Sequence, residues 1–229
     1  MARKLGHSIE SPVPSLFTFN LPNNPLKELM GVVAVDTAVS ISGTKFKATG
    51  ALLITHWGMS GPAILKLSSV AARDLNNKNY NFTVAVNWTG ETSHEAVAEQ
   101  LRQLLSTNPH KQLSSLRPFG ISLRLWHFII TRSGLDPTKK CIETGKKGIN
   151  KLVNSLAGDS YNVGGKSTFR EEFVTCGGVS LSSVNINTFG SKKIQNLYFA
   201  GELLDIDGIT GGYNLQAAWT TGFIAGKLQ

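Results

Sequence analysis

The chain has 229 residues, 41% of them hydrophobic and 17% charged, enough to close one large core or two modest ones. Its two cysteines, Cys141 and Cys176, lie far apart with no CxxC spacing, so neither a metal site nor a disulfide framework is expected. No apolar run approaches the ~18 residues of a spanning helix, and the start lacks a signal-peptide pattern, so a soluble protein of the reducing cytoplasm is expected.

The net charge is +8, and it is unevenly spread. Residues 1–90 hold 8 Lys+Arg against 4 Asp+Glu, residues 91–170 hold 12 against 6, and residues 171–229 hold 3 against 5. The basic excess therefore lies in the middle of the chain.

Taken in chain order, Ala2 to Leu5 reads as a last helical turn closed by Gly6 in the left-handed conformation. One turn cannot nucleate alone, which points to an upstream continuation; the plain alternative is a frayed terminus. From Ser11 to Gly90 the texture is β. Four prolines make an extended entry, and β-branched stretches predict strands over 31–41, 45–54 and 80–88. Ser60-Gly61-Pro62 predicts the start of a helix running to about Leu75.

From Glu91 to about Gly158 the periodicity is helical. Ser93 caps a stripe of Val97, Leu101, Leu104 and Leu105, and Ile121, Leu125, Phe128 and Ile129 form a second stripe ending near Gly134. Asp136-Pro137 opens a third helix containing Ile142, Ile149, Leu152, Val153 and Leu156, with its lysines mostly outward. Strands return from Phe169: Phe173 to Cys176 enters Gly177-Gly178, and 194–200 is an apolar strand. Residues 213–227 make a closing helix.

The expected fold is α+β and multidomain. Residues 1–22 form an entry segment, 23–90 a barrel-like β part, 91–168 a small helical bundle, and 169–229 a strand-and-helix piece.

The densest chemical signal is the run from Asn196 to Ala218. A strand ends at Gly201, where a ligand can approach the backbone, and the carboxylate of Glu202 follows at once. Gly208-Ile209-Thr210-Gly211-Gly212-Tyr213-Asn214 then delivers a helix N-terminus, whose free N–H groups and dipole favour negative charge. A tight strand–turn–helix connection would demand the same glycines for steric reasons alone. His56, before the Ser60 helix start, is the best proton-transfer candidate, although a loop-fixing histidine explains it as well. His127 reads as a core residue, and His7, His94 and His110 as exposed ones. Tyr213 and Trp219 read as packing residues, and Cys176 as a small buried apolar side chain rather than a redox thiol.

Together with Thr175-Cys176-Gly177-Gly178-Val179 and Thr55-His56-Trp57-Gly58-Met59-Ser60-Gly61-Pro62-Ala63, that run resembles the BaiN-like (YhiN-type) family of FAD-dependent, NAD(P)-linked oxidoreductases. The resemblance implies the family's insert plus its returning C-terminal segment. The GxGxxG turn of the family's N-terminal Rossmann half occurs nowhere in this sequence.

By that resemblance FAD is the cofactor of the complete protein and is not expected to be retained by this chain alone. Gly178, Gly201, Glu202, Gly211, Gly212, Tyr213 and Asn214 would border it: Glu202 on ribityl or ribose hydroxyls, and the N–H groups of Gly212, Tyr213 and Asn214 on the flavin pyrimidine edge. NAD(P)H and a small organic molecule would be the partners. The alternative is a basic β/α nucleic-acid-binding module. The basic segment lacks interleaved exposed aromatics or an RNP-like pattern, so a solvated helix face accounts for its lysines and nucleic acid is not the expected partner.

Overall fold

A computed structural model describes residues 1–90, 92–165 and 174–227. The chain divides into two compact units. One comprises Thr18–Leu67 and Tyr80–Lys166; the other comprises Met1–Phe17, Ser68–Asn79 and Ser167–Gln229.

The first unit is built on a six-stranded sheet. In chain order its strands are β2 (Phe19–Asn20), β3 (Val33–Ile41), β4 (Lys47–Ile54), β5 (Gly58–Ser60), β6 (Asn81–Asn87) and β7 (Asp159–Gly164). They are ordered β2-β5-β4-β3-β6-β7, every neighbouring pair antiparallel. The two edges approach each other, since a Cβ on Gly164 would lie 2.7 Å from the Pro22 ring, and the sheet is thereby nearly closed into a barrel. Alternation sends Val39, Ile41, Leu52, Ile54, Val84, Val86, Tyr161 and Val163 inward, with Phe19 and Met59 filling the rest.

Asp159 is also buried on this inner face, and its partners explain how a carboxylate is tolerated there. It accepts from Arg132 Nε at 2.7 Å, from Trp88 Nε1 at 3.4 Å, and from the Tyr161 hydroxyl. Burial first, and Asp159 second, push the Tyr161 hydroxyl well above the ordinary tyrosine range.

Three helices of this unit pack together: α3 (His94–Thr107), α4 (Leu123–Arg132) and α5 (Gly145–Ala157). Ser93 caps α3 through Ala96 N–H at 3.2 Å, and Ser122 caps α4 through Leu125 N–H at 3.4 Å. Their apolar stripes are buried: Val97, Leu101 and Leu105 on α3, Leu125, Trp126 and Ile129 on α4, and Leu152, Val153 and Leu156 on α5.

In the second unit, β1 (Ile9–Ser15) pairs antiparallel with β8 (Val174–Val179), with a bulge between Glu10 and Val13. The short helix α2 (Ala72–Asn77) packs on β1, and Ala72 joins Val13 and Cys176 in a small apolar cluster. Val179, Val184, Phe189, Phe199 and Leu204 form a second core, and the helix α6 (Gly211–Gly226) closes the chain.

Several expectations need correction. The helix expected from Ser60 to Leu75 is two pieces, α1 (Pro62–Val70) and α2, broken at Ala71. The third bundle helix starts at Gly145 rather than Asp136, because Asp136 is spent in a turn, accepting Thr138 N–H and Oγ1–H. Residues 194–200 are not a strand. Asn196 has φ 64°, and a single bridge, Gly190 to Tyr198, is what pairs this stretch. Without a neighbouring strand, an apolar β-prone run has no ladder to join. Gly6 does close an opening turn, here a 3-10 turn over Ala2–Leu5, with φ 84°. Phe169, Phe173 and the boundary placed at 168/169 lie outside the described residues.

The histidines divide differently from the expectation. His7 is buried at 3% exposure, its Nε2 2.7 Å from Ser191 Oγ and its ring edge-on to Phe199. His127 is exposed and reaches Ser114 O at 3.0 Å instead of the core. His94 and His110 are exposed, as read. No helix among the described residues is long and apolar enough to cross a membrane.

Candidate cofactor site

The site is built in the second unit, around the ends of β8 and α6. β8 passes β1 so closely that a Cβ on Gly177 would meet Ser11 O at 2.7 Å, and one on Gly178 would meet Leu203 O at 2.5 Å. These two glycines, at φ 119° and 146°, are therefore required by the chain's own packing. Gly201, at φ 65°, starts a 3-10 turn with Glu202 and Leu203, and its N–H is taken by Thr221 Oγ1 at 2.9 Å.

Glu202 reaches across to β8, its Oε1 accepting Thr175 N–H at 2.8 Å. It borders two open cavities. One, of about 700 Å³, lies against Met1–Arg3, Thr175, Gly177, Gly178 and Leu203; the other, of about 330 Å³, runs along Gly201, Ile206, Gly211, Asn214 and Ala218.

The glycine-rich turn is pinned from inside the following helix. Gly208 N–H donates to Asn214 Oδ1 at 2.9 Å, while Asn214 Nδ2 donates to Gly208 O at 2.9 Å and Thr210 O at 2.8 Å. Thr210 gives α6 no side-chain cap, so the N–H groups of Gly211, Gly212 and Tyr213 begin the helix without intrahelical partners, whereas the Asn214 N–H, expected to face the flavin, is instead directed to Thr210 O at 3.4 Å as the first bond of the helix. A Cβ at Gly211 or Gly212 would meet nothing within 4 Å, and neither has a positive φ. Here, unlike at Gly177 and Gly178, nothing in the described chain demands glycine.

The structure thus brings Gly178 and Glu202 to one cavity and Gly201, Glu202, Gly211 and Asn214 to the other, with Gly212 and Tyr213 exposed on the first turn of α6. A bare, positively polarised helix start beside an acceptor carboxylate fits an anionic, hydroxyl-bearing group such as the inner half of a flavin cofactor. Sequence reasoning missed the side chains of Asn214 and Thr221, which hold the backbone; their signal is an Asn four residues after Thr210 and a Thr placed inside an apolar helix.

The packing role expected of Tyr213 and Trp219 is not met: they are 65% and 78% exposed, and Leu215 and Phe223 on the same helix are exposed as well. Thr221 is the residue of α6 that is buried.

Cys176 faces Asp207, which also accepts Ser15 Oγ–H at 3.1 Å. Burial first, and the Asp207 carboxylate second, push the thiol up to about 11, so it is held protonated and unreactive at neutral pH. Burial also raises Asp205, opposed by Arg73 at 3.4 Å. Among the described residues no cluster of His, Cys, Asp and Glu is arranged to hold a metal.

His56 belongs to the other unit. It is exposed at the turn joining β4 and β5, its ring edge-on to Trp57 with centroids 4.2 Å apart. The turn is set by Thr55 N–H donating to Gly58 O at 2.9 Å and Gly58 N–H donating to Thr55 Oγ1 at 3.1 Å.

The chain is 27% identical over 229 residues to a 3-dehydro-bile acid delta(4,6)-reductase of Clostridium scindens, covering 99% of this chain and 56% of that protein. It is 28% identical over 225 residues to a ribosomal RNA dihydrouridine synthase of Haemophilus influenzae, covering 97% and 53% respectively. The corresponding Escherichia coli enzyme is 26% identical over 226 residues, again with 97% and 53% covered. The chain spans about half the length of the curated relatives it matches. Residues 13–174 match the model described as the HI0933-like protein barrel and H2TH domain, and the six-stranded near-barrel with its helices accords with that description: the chain belongs to the HI0933-like family.

Proposed function

We propose that this chain is the insert and cofactor-completing portion of an FAD-dependent, NAD(P)H-linked reductase that saturates a carbon–carbon double bond beside a carbonyl. The observation that carries this reading is the start of α6, where Gly211 and Gly212 leave open space and N–H groups without a partner among the described residues. Removing the Δ4 and Δ6 unsaturation of a 3-oxo steroid and converting uridine to dihydrouridine share that bond chemistry.

When bound, the flavin would supply the hydride. The chain's part is to hold and polarise: the N–H groups of Gly211, Gly212 and Tyr213 offset negative charge at the helix start, Glu202 accepts from hydroxyls, and Asn214 keeps the turn in place. Gly178 and Gly201 set the backbone on which Glu202 stands. His56 is the candidate proton donor, and the location is cytoplasmic. The test is to purify a polypeptide of the relatives' full length containing this chain. It should hold FAD and oxidise NAD(P)H, whereas the 229-residue chain should be colourless; a full-length protein without flavin would refute the reading.

A second reading concerns substrate class. Two of the relatives act, by name, on ribosomal RNA, and this chain's basic excess lies in residues 91–170. That combination favours RNA over a neutral small molecule as the substrate.

A further inference from the structure

The groove between α3 and α5 is a feature of the first unit that the cofactor site does not absorb. Its floor is the buried pair Leu105 and Cys141, and Pro109, Ile142 and Ile149 form its walls. Arg102 and Lys146 stand at its rim. Its volume is about 570 Å³, within the range that holds a small organic group. Ile142 is 67% exposed, an aliphatic lip that the fold leaves uncovered.

Backbone hydrogen bonds hold the segment that borders the groove. Cys141 N–H donates to Lys111 O at 2.9 Å and Ile142 N–H donates to Pro109 O at 3.1 Å, tying the segment before α5 to the end of α3. The same ties bring Lys111 and Lys140 beside it, across the Gln112–Lys140 bridge. No carboxylate lines the groove. Arg102 has Glu99 at 3.1 Å, but both are exposed and such a pair is weak. Lys111, Lys139, Lys140, Lys146 and Lys147 are exposed and form no ion pair among the described residues. An aliphatic slot with Arg102 and Lys146 at its rim and Lys111 and Lys140 near it, against the exposed carboxylates of Glu99 and Glu143, keeps a basic excess and complements a ligand that is flat and apolar in one part and polyanionic around it.

We infer that this groove receives an unpaired base of a folded RNA, with the flanking phosphates on Arg102, Lys111, Lys140 and Lys146. The inference rests on the RNA reading given above, and it assigns the contact surface. Unpaired bases in loops are the parts of RNA that a protein pocket can take, because paired bases are stacked and their edges are hidden in the deep groove. Aliphatic walls rather than aromatic ones make the base contact permissive and leave most of the affinity to phosphate charge.

The test uses the 229-residue chain and three probes: a labelled hairpin RNA with an unpaired loop, the same stem closed as a duplex, and polyglutamate. The hairpin should bind with strong salt dependence and the other two should compete poorly. Lys111→Glu/Lys146→Glu should weaken hairpin binding at least about tenfold and flatten the log–log salt slope by about 1.4, the value for two single-strand phosphate contacts. The control Lys45→Glu/Lys47→Glu, on the β3–β4 hairpin, should change affinity less than about twofold, and Ile142→Ser should weaken hairpin but not duplex binding. Unchanged melting temperatures certify the folds. Equal losses in both charge reversals, hairpin and duplex binding alike, or efficient displacement by polyglutamate would each overturn the inference. Absence of RNA binding together with a flavin-loaded, NAD(P)H-oxidising full-length protein would refute the groove and leave the reductase standing.

Discussion

Gly208 and Asn214 grip each other through two hydrogen bonds of 2.9 Å, one in each direction, so the turn that feeds α6 is fixed by a side chain of α6 itself. Asn214→Asp keeps the acceptor and removes the donor, leaving Gly208 O and Thr210 O facing a carboxylate. The variant should lose about 1–2 kcal/mol of stability by urea denaturation, the usual range for a hydrogen bond whose partner is left unmade. An unchanged midpoint would mean the turn holds itself.

Glu202 carries a structural hydrogen bond to Thr175 N–H and, in the proposed complex, hydroxyl contacts too. Glu202→Ala should therefore lower the melting temperature of the isolated chain slightly. In the full-length protein it should weaken flavin binding by roughly tenfold to a hundredfold, as expected for loss of a charge-assisted bond. A lowered melting temperature with an unchanged flavin Kd would reduce Glu202 to a turn-holding residue.

Asp159 is the buried anion of the barrel, and three donors depend on it. Asp159→Ala should destabilise the first unit by about 3 kcal/mol, since it strands Arg132 and the Tyr161 hydroxyl. The same network predicts alkaline lability. Because the folded state holds Tyr161 protonated well above the ordinary value near 10, its contribution is complete below about pH 10 and is lost as the pH rises beyond that. Tyr161→Phe should flatten stability against pH in this window; a wild-type curve already flat from pH 9 to 11 would contradict the account.

Cys176 should alkylate slowly at pH 8, with the rate rising towards an apparent pKa of about 11. Asp207→Asn removes a neighbouring negative charge, so it should lower that value and speed modification, read at the Cys176 peptide by mass spectrometry. Fast labelling of the wild-type thiol at neutral pH would revive a redox role.

Strands β3, β4 and β6 and the cap Ser93 were legible because their information is local: alternation, β-branching, and a hydroxyl one residue before a helix. What was not legible depended on distant partners. His7 looks exposed beside a chain terminus, yet Ser191, far along the chain, buries it. Residues 194–200 look like a strand, yet strand formation needs a neighbour that the described residues do not provide. At the candidate site the glycine motif showed where to look and could not separate two kinds of glycine. Gly177 and Gly178 are demanded by backbone contact, whereas Gly211 and Gly212 face open space.

That distinction gives the most direct test of the cofactor site: the flavin dissociation constant of Gly212→Ala in a polypeptide of the relatives' full length. Alanine is a better helix former than glycine by up to about 1 kcal/mol, and its methyl meets nothing within 4 Å among the described residues, so the variant of the isolated chain should melt no lower than the parent. If the cofactor sits against the bare start of α6, the same methyl should weaken flavin binding at least about tenfold. An unchanged flavin dissociation constant would contradict the assignment of the site.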